Sequence, residues 1–130
     1  MGLSLDQATE LEHVGDTLYI GFNDDLEKVS FPKLKTVGGA LIIEANAVLR
    51  EIHLPALERV TKYLHIHDNA GLVVVDLTRL KEVGGEVSFL SCPILKGVRV
   101  ASASARAMAS SYAIQGCGVP AFPGAHIKTR

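Results

Sequence analysis

Tyr63, His65 and His67 alternate along one short stretch, and they are the residues whose types and spacing come closest to chemistry. In an extended chain, His65 and His67 project from the same face about 7 Å apart. Two imidazoles joined by a carboxylate are a familiar ligand set for a divalent metal. Cys92 and Cys117 are the other reactive pair. A thiolate needs access and a lowered pKa to act as a nucleophile, and a Cys–His pair would need the same. The two cysteines are too few for a disulfide scaffold, so a reducing compartment is the default. They either form one disulfide between them or stand as two reduced thiols with Cys92 buried. The sequence carries no nucleophile motif and no glycine loop of the phosphate-binding kind. A non-enzymatic protein with no cofactor is therefore expected.

Composition narrows the partners. The chain has 130 residues, 48% hydrophobic and 21% charged, which fits one globular domain. A net charge of −1 gives no basic excess for nucleic acid or an anionic membrane. Trp is absent and aromatics are few, which argues against a stacking platform for bases or sugars. No apolar run reaches the roughly 18 residues that span a bilayer. The start, MGLSLDQATELEH, has neither a basic beginning nor an apolar core, so it does not read as a signal peptide. It matches a myristoylation pattern loosely, with Asp6 where Ser or Thr is wanted. The cytoplasm is the default compartment, and an extracellular one follows if the chain is part of a longer protein.

What positions these residues is a repeat. The copies begin at Val14, Val37, Val60 and Val83, each 23 residues after the last. A fixed period of this size signals stacked coils. The fifth position of each copy is Leu18, Leu41, Leu64 or Val87, and the seventh is Ile20, Ile43, Ile66 or Phe89. The tenth is Asn23, Asn46 or Asn69, then Cys92. Leu26, Leu49, Leu72 and Leu95 share the thirteenth, and Val29, Ile52, Val75 and Val98 the sixteenth. The eighteenth and twenty-first columns are apolar as well.

Alternation at the fifth and seventh positions, and again at the sixteenth and eighteenth, predicts two short strands per coil. Gly38-Gly39 and Gly84-Gly85 read as turns before the first strand, and Pro32 and Pro55 as stops after the second. One coil cannot bury its own apolar residues. Coils stacked about 4.8 Å apart bring each column into register and make a continuous interior. An inward Asn at a corner can then pair backbone groups that would otherwise be buried alone.

VGGALIIEANAVLREIHLPAL resembles the repeat of receptor L domains and, more broadly, leucine-rich repeats of bacterial surface type. The valine–glycine turn, the L-x-I strand, the Asn three residues on and L-x-x-I-x-L-P-x-L carry the likeness, over about residues 11 to 100. It implies a right-handed single-stranded β-solenoid, mainly β, of about four 23-residue coils with parallel sheets. It implies binding of a protein or other ligand on one face, and it brings no catalytic residues. Cys is the usual substitute for the column asparagine in leucine-rich repeats, and Cys92 stands there. The chain lacks the cysteine-rich modules that flank receptor L domains.

The expected organisation is a repeat solenoid over residues 1–116, followed by a tail or linker over 117–130. Residues 1–13 form an N-terminal cap, a partial coil or short helix with Leu3 in the thirteenth column and Leu11 in the twenty-first. Residues 14–100 are the four repeats. The alanine-rich 101–116 reads as a capping helix, with Ser102 or Ser104 as N-cap and Gly116 as stop.

In this register the outward rows of the first strand are Tyr19, Ile42, His65, Ser88 and Gly21, Glu44, His67, Leu90. Glu44 thus neighbours His67 on the adjacent coil. No second carboxylate or orienting partner joins them, so a metal is not the expected reading. Tyr19, Ile42, Tyr63, His65 and Leu90 are large or apolar on what should be a solvated face, and such clusters mark interfaces. Tyr19, Ile42, Glu44, Tyr63, His65, His67 and Leu90 are the expected partner-binding residues, for a protein partner. Self-association of a weakly capped coil stack is the structural alternative, and a fragment of a larger cell-surface receptor-like protein is another. On the second sheet, Asp76 with Arg99, Arg59 with Glu82, and the series Lys35, Glu58, Lys81 predict charge pairs between coils.

Overall fold

The computed structural model of the chain describes residues 3–4, 10–100, 112–117 and 128–129. Strand β1 (Leu3–Ser4) precedes a first coil made of β2 (His13–Val14), β3 (Leu18–Gly21) and β4 (Leu26–Ser30). The second coil is β5 (Thr36–Val37), β6 (Leu41–Glu44) and β7 (Glu51–His53). The third is β8 (Arg59–Val60), β9 (Leu64–His67) and β10 (Val74–Asp76), and the fourth is β11 (Glu82–Val83), β12 (Val87–Leu90) and β13 (Gly97–Arg99). Strands β14 (Tyr112–Gln115) and β15 (Lys128–Thr129) follow. All are stacked in parallel as a β-solenoid of about four turns.

The coil has three sides. A six-stranded sheet runs β3-β6-β9-β12-β14-β15, a five-stranded sheet β1-β4-β7-β10-β13, and a four-stranded sheet β2-β5-β8-β11. Two strands per coil were legible in the alternation, but the third side was not. It lies where the sequence predicts only a valine–glycine turn. Val14, Val37, Val60 and Val83 are its repeated positions, and Val37 and Val60 are fully buried. The glycines beside them serve close approach. A Cβ on Gly38 would lie 2.5 Å from the Gly15 carbonyl oxygen, and one on Gly84 would collide with that of Thr61.

The register follows the repeat. Leu18 pairs with Leu41, Leu41 with Leu64, and Leu64 with Val87. The columns Leu41/Leu64/Val87, Ile43/Ile66/Phe89 and Leu49/Leu72/Leu95 have no exposed surface at all. Burying each such side chain contributes about 1.5–3 kcal/mol, and the gain exists only because the next coil supplies the other wall.

Every coil turns the same corner after its six-stranded-sheet strand. Phe22, Ala45, Asp68 and Ser91 all lie in the left-handed region, with φ of 53° to 56°. That twist turns the next residue inward, where Asn46, Asn69 and Cys92 are fully buried. The Asn46 side-chain amide donates to the Ile20 carbonyl (3.2 Å) and to Asn69 Oδ1 (3.1 Å). The Asn46 backbone N–H also donates to Asn69 Oδ1, at 3.2 Å. Asn69 Nδ2 reaches the Ile43 carbonyl at 3.0 Å, and Asn23 donates twice to Asn46 Oδ1. These bonds form an asparagine ladder that pairs buried backbone groups, which water cannot reach.

Strands near both chain ends extend the stack. Leu3–Ser4 pairs with β4 in the thirteenth-column register, so the N-terminal strand belongs to a partial coil. The predicted capping helix is corrected over its last turn, because Tyr112–Gln115 is extended and pairs residue by residue with Val87–Leu90. Ser102, Ser104 and the rest of 101–111 lie outside the described residues. The structure shows no helix among the described residues. In the predicted tail, Lys128–Thr129 is a further strand beside β14, and 118–127 lie outside the described residues.

Candidate partner-binding face

The outward side of the six-stranded sheet is built by the alternate residues of β3, β6, β9 and β12. The parallel register places Ile42 between Tyr19 and His65, and Glu44 between Gly21 and His67. It places His65 beside Ser88 and His67 beside Leu90. All seven residues expected from the sequence therefore lie on this one side, with Tyr63 just before β9.

Three rings form a file along β9. The Tyr63 and His65 centroids are 4.3 Å apart and tilted by 36°, and those of His65 and His67 are 4.6 Å apart and tilted by only 19°. The imidazoles lean together well inside the strand repeat of about 7 Å. Tyr63 is exposed, while His65 and His67 are half-buried. Burial pushes both imidazoles below the usual histidine range, and for His65 the neighbouring His67 adds to the effect. The rings thus favour the neutral form.

The side chains also bridge coils. The Tyr19 hydroxyl donates to Glu44 Oε2 at 2.5 Å. Gly21 makes this possible, since a Cβ there would meet the Tyr19 ring at 2.5–2.7 Å. The ring therefore lies across its own strand to reach the second coil. The bond to an anionic acceptor raises the pKa of the Tyr19 phenol. His67 Nε2 sits 3.0 Å from Ser88 Oγ, and His65 Nε2 is 3.8 Å from Glu86 Oε1.

Ser88 is a correction to the expected outward row. It is only 2% exposed, because His67 closes over it and β14 extends the sheet beyond it. Sequence reasoning also missed Gly21, Ser88 and Glu86 as supports for the rings. Gly21 was detectable in principle, as the small member of a column otherwise holding Glu44, His67 and Leu90. Among the described residues, no three His, Cys, Asp or Glu side chains converge as metal ligands.

The other two sides look different. Arg59 pairs with Glu82 at 2.8 Å, Lys81 with Glu58 at 3.5 Å, Lys35 with Glu12 at 3.6 Å and Lys33 with Glu10 at 2.9 Å. Asp76 departs from expectation. Its carboxylate accepts from the backbone N–H and hydroxyl of Thr78 on the same turn, although Arg99 is its register partner. No known protein family, curated protein or solved structure matches the chain.

Proposed function

We propose that this chain is a non-enzymatic repeat module, of leucine-rich-repeat or receptor L-domain-like kind, that holds a protein partner on the outward side of its six-stranded sheet. One observation carries the reading. That side presents a file of three stacked rings, Tyr63, His65 and His67, with half-buried Ile42 and Leu90 on the neighbouring coils. Weakly hydrated aromatic and aliphatic side chains are what the centre of a protein interface uses. Lysine–glutamate and arginine–glutamate pairs, by contrast, are placed on the other sides. Glu44, held by Tyr19, supplies a fixed acceptor at the rim.

The test compares two sides of the same molecule. A photo-crosslinking residue replaces Ile42 in one variant and Thr78, on the turn after the five-stranded sheet, in another. Capture of one defined protein from Ile42 alone, abolished by Tyr63→Ser with His65→Ser at an unchanged melting temperature, is the expected result. Equal capture from both positions, or survival of capture in the double variant, would sink the assignment.

A second reading is self-assembly of coil stacks end to end. It is favoured by a groove of about 380 Å³ at the first coil, lined by Leu18, Ile20, Leu26 and Phe31 among others. An apolar end beside the edge strand β3 suits addition of another parallel strand. Light scattering over a concentration series distinguishes the two, since a strict monomer excludes assembly.

A further inference from the structure

The inward column does not end with asparagine. Gln115 pairs with Leu90 in the β12–β14 register, so Gly116 falls opposite Ser91 and Cys117 opposite Cys92. The corner is repeated too: Gly116 has φ of 65° where Ser91 has 53°. A Cβ built on Gly116 would lie 3.5 Å from Ser91 N and Cα, which shows how closely the two corners stack. The fifth corner arrives 25 residues after the fourth, because 117 minus 92 is 25, and the repeat of 23 hides it.

Cys92 fits the slot of an asparagine. Its Sγ lies 3.7 Å from the Ile66 carbonyl oxygen, as Asn69 Nδ2 reaches Ile43 and Asn46 Nδ2 reaches Ile20. Lower in the column, side chains on successive coils meet directly, at 2.9 Å for Asn23 with Asn46 and 3.1 Å for Asn46 with Asn69. The same stacking brings the two thiols together. Cys117 packs against the core and remains half-buried, whereas Cys92 has no exposed surface. A thiol–thiol contact with Cys117 and burial both push the Cys92 pKa up.

We propose that Cys92 and Cys117 form a redox-switchable staple that locks the C-terminal strand β14 onto the fourth coil. In this structure no disulfide joins them. Neighbouring parallel strands are about 4.8 Å apart, inside the Cα separation of about 4.4–6.8 Å that a disulfide spans. The oxidant is a small disulfide such as glutathione disulfide. The more accessible Cys117 attacks as a thiolate, forming a mixed disulfide and releasing one glutathione thiol. Cys92 then attacks the Cys117 sulfur and releases the second. Two protein thiols and one glutathione disulfide become one protein disulfide and two glutathione thiols. Closure is slow, because the second step waits for ionisation of the buried Cys92. Unlinked, β14 already pairs with β12, as here, and local opening can still detach it; the disulfide suppresses that opening and keeps the edge of β12 covered.

The full chain is incubated with glutathione disulfide, and its thiols, peptides and amide exchange are followed. The expected product is a monomer that has lost both reactive thiols, with a peptide linking residues 92 and 117. Exchange at Tyr112–Gln115 should slow by about 10-fold or more, since cross-linking removes open conformers. Dithiothreitol should reverse this, and Cys92→Asn, which extends the asparagine column, should abolish it while leaving the fold intact. Cys117→Ser gives an independent variant that leaves the fourth coil untouched. Lasting glutathione on Cys117 with Cys92 unreacted, disulfides only between chains, unreactive thiols, or a 92–117 link with unchanged exchange would each overturn the proposal.

Discussion

The asparagine corner and the outward face beside it obey opposite rules, although a single residue separates them in each coil. At the corner the residue type is repeated: Asn23, Asn46 and Asn69 occupy equivalent positions and bond to one another. On the face the corresponding column is Gly21, Glu44, His67 and Leu90, with four different chemistries. The corner is buried, so a wrong residue leaves backbone groups unpaired. The face meets solvent, so stacking constrains it little and each coil can differ. Identity along a column therefore reports folding, and variation marks the positions that folding leaves free.

The hardest way to break this contrast is at the corner. Asn69→Leu should cost about 3 kcal/mol or more in chemical denaturation, because it removes the acceptor of the buried Asn46 backbone N–H and takes one bond each from the Asn46 side-chain amide and the Ile43 carbonyl. Asn23→Leu, at the half-buried end of the column, should cost distinctly less. Equal losses would mean that the ladder does not act through burial.

Acid should act on the face with a smaller effect. Unfolded histidines titrate near 6.5, while burial holds those of folded His65 and His67 lower. As pH falls through that window, the unfolded chain binds protons that the folded rings refuse. Stability is then full above the unfolded value and declines with acid until the folded rings also titrate. Glu44, Glu86 and Asp68 are the acidic groups acting on these rings, and they limit the decline. Melting temperatures from pH 8 to pH 5 should show a steeper fall for the native chain than for His65→Gln with His67→Gln. Parallel curves would contradict the burial assigned to the rings. The gentlest test is Tyr19→Phe, which removes an exposed hydrogen bond to Glu44. Its denaturation midpoint should not move measurably, whereas partner capture through Ile42 should weaken.

Much of the coil could be read directly from residue columns. Leu41, Ile43, Leu49 and Ile52 fall in the interior as their spacing requires, and Asn46 takes the bonding role that an inward corner asparagine implies. The third side escaped because its strands hold two residues each, such as Thr36–Val37, too few to show alternation. The last coil escaped for a different reason. Its return is two residues late, which breaks the phase, and helix propensity is a weak prior that strand pairing overrode at Tyr112–Gln115. On the candidate face the seven residues were legible as a group. Their contacts were not, because the lean of Tyr19 over Gly21 and the burial of Ser88 depend on neighbouring coils.

The left-handed corners carry one more consequence, for how short such a protein can be. Ala45, Asp68 and Ser91 each hold a backbone conformation that costs a residue with a Cβ about 1 kcal/mol or more. That cost recurs with every coil, whereas the compensating contacts exist only between coils. A stack of n coils has n corners but n − 1 junctions. The balance is therefore worst for a single coil and improves with each one added, so there is a critical length below which the sequence cannot hold its shape. Deleting one internal 23-residue unit should bring the chain nearer that threshold, and duplicating one should move it away.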